Sequence, residues 1–233
     1  MRCFPLAIEV LESRIAPANV LNVNSSGSGT VILDLTAMTI SGPGLGSPVS
    51  ITGVDVVNLT GTDAFMIKGT IGADHLDYTP TSATAGAVTV EGLNLAINFT
   101  GITGAFTIDP LGGGDIVSVN SQPGNNFITA TAGSSPSVQI GTAKAVVLAP
   151  PNVGSLVING NTGNDQLTVN SAAGAFLIPI TYNGGPGFDT LVMQGGNALS
   201  SHFAAGATPD AGTNTLTFAN GTESISFTGL EPV

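Results

Sequence analysis

Tryptophan is absent from this 233-residue chain, cysteine occurs once, and only four side chains, Arg2, Arg14, Lys68 and Lys144, carry a fixed positive charge. Each shortage excludes something. A lone Cys3 leaves no intramolecular disulfide and no thiolate metal cluster. Four bases against fifteen acids, a net charge of −11, cannot neutralise a run of phosphates, which argues against nucleic acid as a partner. No apolar stretch approaches the length of a membrane span. No apolar period of 3.6 persists over three turns, so helix should be scarce. Aromatic residues make up only 5% of the chain, yet hydrophobic residues reach 42%. The expected core is therefore thin and built from Val, Ile, Leu, Ala and Thr, a composition that suits short stacked strands.

Against this background one phrase recurs, Gly-x-Asp-x-apolar-x-apolar. Six of the ten aspartates, Asp55, Asp63, Asp74, Asp115, Asp165 and Asp189, occupy its acidic slot, and Asn126 and Asn214 occupy the slot in two further copies. Asp63, Asp115, Asp165 and Asn214 lie 52, 50 and 49 residues apart, and the last interval divides at Asp189 into 24 and 25. A repeat of twenty to twenty-five residues matches one coil of a parallel β-solenoid, in which short strands are joined by tight glycine or asparagine turns. The expected fold is all-β, a parallel β-solenoid of stacked coils over residues 20–233, preceded by a distinct N-terminal element over residues 1–19. The alternative is a series of tandem β-sandwich modules.

Two chemistries compete for the acidic slot. Asp and Asn both bond backbone amides in turns, and the Asn copies keep that bond while losing the charge a metal needs. Conversely, glycine turns with converging carbonyls and an aspartate oxygen suit a hard cation such as calcium, which takes six to eight oxygen ligands. Gly184-Gly185-Pro186-Gly187-Phe188-Asp189-Thr190-Leu191-Val192 resembles in full the nonapeptide of RTX, or haemolysin-type, calcium-binding β-rolls. The copies at Gly163–Asp165 and Gly72–Asp74 depart only at the second glycine, and the copy at Asp115 has displaced glycines. That resemblance implies calcium, with Gly185, Gly187 and Asp189 as the leading ligand turn, then Gly163 and Asp165, Gly72 and Asp74, and Asp115. No two full nonapeptides stand in tandem, so a complete shell would draw on neighbouring coils.

The N-terminal element carries both arginines and the only cysteine. Its Leu11-Glu12-Ser13-Arg14-Ile15-Ala16-Pro17-Ala18 resembles a short LE-x-R-x-A-P-A element that opens large repeat proteins of planctomycetes and verrucomicrobia. This implies a secreted or cell-surface protein. No catalytic constellation stands out: His75 and His202 lack spaced partners, and nothing in the sequence locates in a cleft either Asp74 and Asp77, which flank His75, or Asp109, six residues before Asp115. The expectation is a non-enzymatic, adhesin-like β-repeat protein that meets the cell envelope or a polysaccharide surface. The rival is a carbohydrate-active β-helix enzyme, either a polysaccharide lyase or a glycosidase-like protein, and the shortage of Lys and Arg speaks against it. Near the C-terminus Ile225-Ser-Phe-Thr-Gly-Leu230 echoes Ile97-Asn-Phe-Thr-Gly-Ile102. This predicts a final coil with an open edge, and hence self-association through the ends.

Overall fold

The computed structural model describes residues 18–26, 28–61 and 64–231. Asp63 and the N-terminal element as far as Pro17 lie outside the described residues. The chain alternates between two sheets. It starts in the first with β1 (Val20–Asn24) and crosses to the second for a meander of β2 (Thr30–Asp34), β3 (Thr39–Ser41) and β4 (Val49–Ser50). It returns for β5 (Val56–Thr60), crosses for β6 (Ala64–Lys68), and makes its next meander in the first sheet: β7 (His75–Ser82), β8 (Ala85–Val90) and β9 (Leu95–Thr100). The second sheet then takes β10 (Phe106–Asp109) and the first β11 (Asp115–Asn120). A third meander follows in the second sheet, β12 (Phe127–Thr131), β13 (Ser137–Ile140) and β14 (Val146–Leu148). Strands β15 (Val153–Asn159), β16 (Gln166–Asn170), β17 (Ile180–Asn183) and β18 (Thr190–Gln194) alternate singly. The first sheet closes with β19 (Ser200–Ala205), β20 (Gly212–Phe218) and β21 (Gly221–Thr228).

The all-β expectation holds for the described residues, which contain no helix. They form two large mixed sheets of 11 and 10 strands that are not closed into a barrel. Strands from successive visits to a sheet pair in parallel, as in Phe65↔Phe106 and Val57↔Ile97, whereas strands within a meander pair antiparallel. The twenty-odd-residue step expected from the Gly-x-Asp spacing occurs where no meander intervenes, as in Leu167↔Leu191. Elsewhere a hairpin is inserted between parallel partners and lengthens the step to about forty residues, as when Leu76 pairs with Val117.

Strand alternation builds the core. In β6 and β10 the residues Phe65, Ile67, Phe106 and Ile108 point inward and are fully buried, with Met66 and Thr107 facing away. In parallel register each inward side chain stacks on its counterpart one strand along. Four of the twelve aromatic residues gather at one place: Phe65, Tyr78, Phe99 and Phe106, whose contacting rings have centroids 4.7–6.2 Å apart. Each ring buried in this way is worth about 1.5–3 kcal/mol of transfer free energy.

The outer face of the first sheet is stitched differently. Asn58 donates to Asn22 at 2.9 Å and Asn98 donates to Asn58 at 3.0 Å. A second asparagine ladder runs from Asn183 to Asn159 and from Asn159 to Asn120, at 2.8 and 2.7 Å, with Thr228 donating to Asn183 at its end. Such ladders form only when identical side chains meet in register.

Candidate functional site

The acidic slot falls immediately before or at the start of a strand, so strand pairing sets one slot above the next. At the entry to the first sheet, the Asp74 N–H donates to Asp115 Oδ1 at 2.7 Å. At the entry to the second, Asn126 N–H donates to Asp165 Oδ1 and Asp165 N–H to Asp189 Oδ1, both at 2.7 Å. The Asp189 N–H donates in turn to Glu231 Oε2 at 2.7 Å. Asp55 serves the same purpose at the start of the chain, accepting from Asn19 N–H at 2.7 Å. Each carboxylate therefore satisfies a backbone donor of the adjacent strand entry. Among the described residues these acids have no salt-bridge partners, and backbone amides take that place.

The sequence candidates thus divide into two groups. Asp74 and Asp115 stack in one place, and Asp165 and Asp189 in another. The glycines stack with them: a Cβ on Gly113 would strike the Gly72 carbonyl, one on Gly187 the Gly163 carbonyl, and one on Gly185 the Asn161 carbonyl. At these turns the approach leaves no space for a side chain, whereas at Gly53 and Gly124 a Cβ would meet nothing within 4 Å and it is the positive φ that suits glycine. The Asn214 copy is different, because Gly212 and Asn214 lie inside β20 rather than in a turn.

The two groups differ in how fully their oxygens are used. Asp115 Oδ2 accepts from Gly112 N–H at 3.1 Å, and Asp74 Oδ2 accepts from Thr70 N–H at 2.5 Å. Asp165 Oδ2 and Asp189 Oδ2 are buried and accept nothing, and the hydroxyl of buried Tyr182 also lacks a partner. Desolvation, reinforced by the neighbouring charges of Asp165 and Glu231, raises the Asp189 carboxyl above its ordinary value, although the amide bond from Asp165 opposes this. Burial, and then the charges of Asp189, Asp165 and Glu231, push the Tyr182 hydroxyl upward as well. Among the described residues no three His, Cys, Asp or Glu side chains gather as a metal cluster.

Sequence reasoning missed Glu231, Tyr182 and the asparagine ladders. The ladders had a signal, an Asn at the same place within strands such as Leu21-Asn-Val23, Val57-Asn-Leu59 and Ile97-Asn-Phe99. Glu231 had none, because it sits outside the repeated phrase. His75, read as partnerless, joins two elements: Nδ1 lies 2.7 Å from Glu91 Oε2 and Nε2 lies 2.8 Å from Ser118 Oγ. Ser118 is only 3% exposed. Lys144 Nζ is tied to the carbonyls of Thr103 and Gly104. Among the described residues no helix is long and apolar enough to cross a membrane. No protein-family model, curated protein or solved structure matches the chain.

Proposed function

We propose that this is a non-enzymatic structural β-repeat protein, exported or at the cell surface, whose two sheets are the walls of a parallel β-solenoid. The observation that carries the reading is the amide-to-carboxylate ladder: the recurring chemical group of the chain is consumed in holding strand entries to one another. The asparagine ladders and the parallel pairing of successive visits support the solenoid over tandem sandwich modules, whose sheets are antiparallel. Eleven strands at about 4.8 Å give a body about 50 Å long. Small-angle scattering of the monomeric protein should return one elongated particle of that length, and a two-lobed profile would favour sandwiches. Incubation with polygalacturonate or alginate should release no unsaturated product. Calcium-dependent release would replace this reading with a lyase.

Calcium enters as a second reading because two buried carboxylate oxygens, Asp165 Oδ2 and Asp189 Oδ2, have no partner. They are hard anionic donors, and the carbonyls of Gly184 and Gly229 lie close to them, each within reach of a Cβ placed on the adjacent glycine. Asp165 and Asp189 would hold the ion, and Gly163, Gly185 and Gly187 would shape its turns. Asp74 and Asp115, whose oxygens already accept amides, would serve it less well. Calcium added to chelator-treated protein should raise Tm, and Asp189→Asn should abolish the rise while Asp74→Asn preserves it. A melt indifferent to both calcium and chelator would remove the ion and leave the structural reading standing.

A further inference from the structure

The last meander repeats the register of the second one. In the earlier copy Tyr78 pairs with Val88, Gly86 with Phe99 and Val88 with Ile97; in the later copy Phe203 pairs with Asn214, Gly212 with Phe227 and Asn214 with Ile225. Two rings stack over each glycine, Tyr78 on Phe99 at 6.2 Å and 15°, Phe203 on Phe227 at 6.3 Å and 11°. The earlier pair is covered by Phe106 of β10, the strand that pairs in parallel with β6. Among the described residues the later pair has no such cover. Beyond β15 and β16 the first sheet adds four strands and the second adds only β18, which pairs with β16 alone. Phe203 is consequently 58% exposed, and Leu191 and Met193 of β18 are only partly buried, although Leu167 and Val169 beneath them are fully buried.

The intersheet core thus continues onto a shelf that lacks one strand. That strand would lie parallel to β18 as β10 lies parallel to β6, with an aromatic side chain over Leu191 and an aliphatic one, two residues on, over Met193. We propose that a second copy of this chain supplies it from the segment Phe4-Pro-Leu6-Ala-Ile8-Glu-Val10, so that copies join head to tail by donating a strand. This deepens the structural reading above by naming what that structure assembles with. Phe4, Leu6, Ile8 and Val10 alternate as an inward face must, with the aromatic residue first, as in Phe106-x-Ile108. Phe4 precedes proline, which favours the extended backbone, and Pro5 is tolerable at the start of a new edge strand. Charge fits too, because the donor is flanked by Arg2 and Arg14, the only arginines of a chain with net charge −11.

Reach decides between the chain's own segment and another's. Seven residues lie between Val10 and Ala18, and the eight Cα steps span at most about 29 Å of extended chain. From β1 to β21 there are eight inter-strand steps, about 38 Å. The donor cannot close on its own shelf, so the contact is heterologous and propagates.

The test uses the full chain and two variants that leave the described core untouched, Phe203→Asp in the shelf and Ile8→Asp in the donor, with circular dichroism verifying that both are folded. Light scattering after size exclusion should show the wild type growing in mass with concentration and each variant monomeric. Mixing the variants should restore a single one-to-one dimer and nothing larger, since one retains a donor and the other a shelf. A wild type monomeric up to its solubility limit would overturn the proposal. So would Ile8→Asp that still assembles, since the shelf would then be taken by some other surface, or a mixture that stays monomeric. These outcomes leave the scattering profile of the monomer and the lyase assay unchanged, so failure here is distinct from failure of the structural reading.

Discussion

The meanders β7–β9 and β19–β21 are the same device in two environments. Both lay a pair of aromatic rings across a glycine near the start of the meander's middle strand, with matching register and nearly equal ring separations. In the first the opposing sheet supplies Phe106 and all three rings are fully buried; in the second the opposing sheet stops at β18 and Phe203 stands in solvent. The difference teaches that the meander itself needs little beyond its own pairing to form. What the opposing strand adds is burial, which is where most of the stabilisation lies. The covered copy is a core, and the open copy has the same residue logic with its favourable term withheld.

Removing the cover should therefore have the largest effect. Phe106→Ala deletes a ring in contact with Phe65, Tyr78 and Phe99. It should cost about 3–5 kcal/mol in denaturant unfolding. Phe203→Ala, which removes a ring of the equivalent pair at the open end, should stay below about 1 kcal/mol in the monomer. Equal losses at the two positions would mean that the open end is not open in solution.

The glycines sharpen the contrast at intermediate size. A Cβ on Gly86 would lie 2.6 Å from Tyr78 Cε2 and 2.8 Å from Phe99 Cζ; on Gly212 it would lie 2.6 Å from Phe203 Cε2 and 2.9 Å from Phe227 Cζ. The clashes are nearly identical, but the relief is not, because Phe203 can swing into solvent while Tyr78 and Phe99 are held by Phe106. Gly86→Ala should destabilise by about 1–3 kcal/mol and Gly212→Ala by less, read as a shift of the urea midpoint at constant slope. Similar shifts would show that ring mobility does not govern the cost.

How much of this was legible in the residues varies by feature. Glycine punctuation and alternating Val, Ile and Thr announced strands, because turn chemistry and period-two burial are local properties. The acidic slot was legible as a turn, but Asn126 fills it with a different bond from the one expected: its amide donates to the carbonyls of Gln122 and Gly124 at 2.8 and 2.5 Å. The stacking partners were not legible. Asp115 sits on Asp74, forty-one residues earlier, because an inserted hairpin lengthens the step by an amount that no local pattern encodes. Gly212-x-Asn214 carried the turn phrase but became the opening of a strand, since pairing with β19 and β21 overrode its local preference. That Asp165 and Asp189 lack partners for one oxygen each depends on backbone positions several strands apart.

A small effect is expected at the acidic slots, and its sign should differ between Asp115, whose second oxygen has a partner, and Asp189, whose second oxygen has none. Asp115→Asn turns an amide towards the Gly112 N–H that Asp115 Oδ2 now accepts, setting donor against donor. A loss of about 1 kcal/mol should follow. Asp189→Asn keeps the acceptor for the Asp165 N–H and replaces an unpartnered, desolvated oxygen with an amide that can reach carbonyls behind it, as Asn126 does. It should stabilise the metal-free protein at neutral pH by up to about 1 kcal/mol. The pH dependence follows from the raised carboxyl. The folded state holds the Asp189 proton more tightly than the unfolded chain, whose aspartates titrate near about 3.9. The contribution of this group is therefore most favourable below that value, declines as pH rises towards the folded pKa, and is flat above it. Melts of the wild type and Asp189→Asn, both metal-free, should converge on acidification and separate towards neutrality with the variant the more stable; a gap that widens on acidification would mean the carboxylate is stabilised, not strained, where it stands.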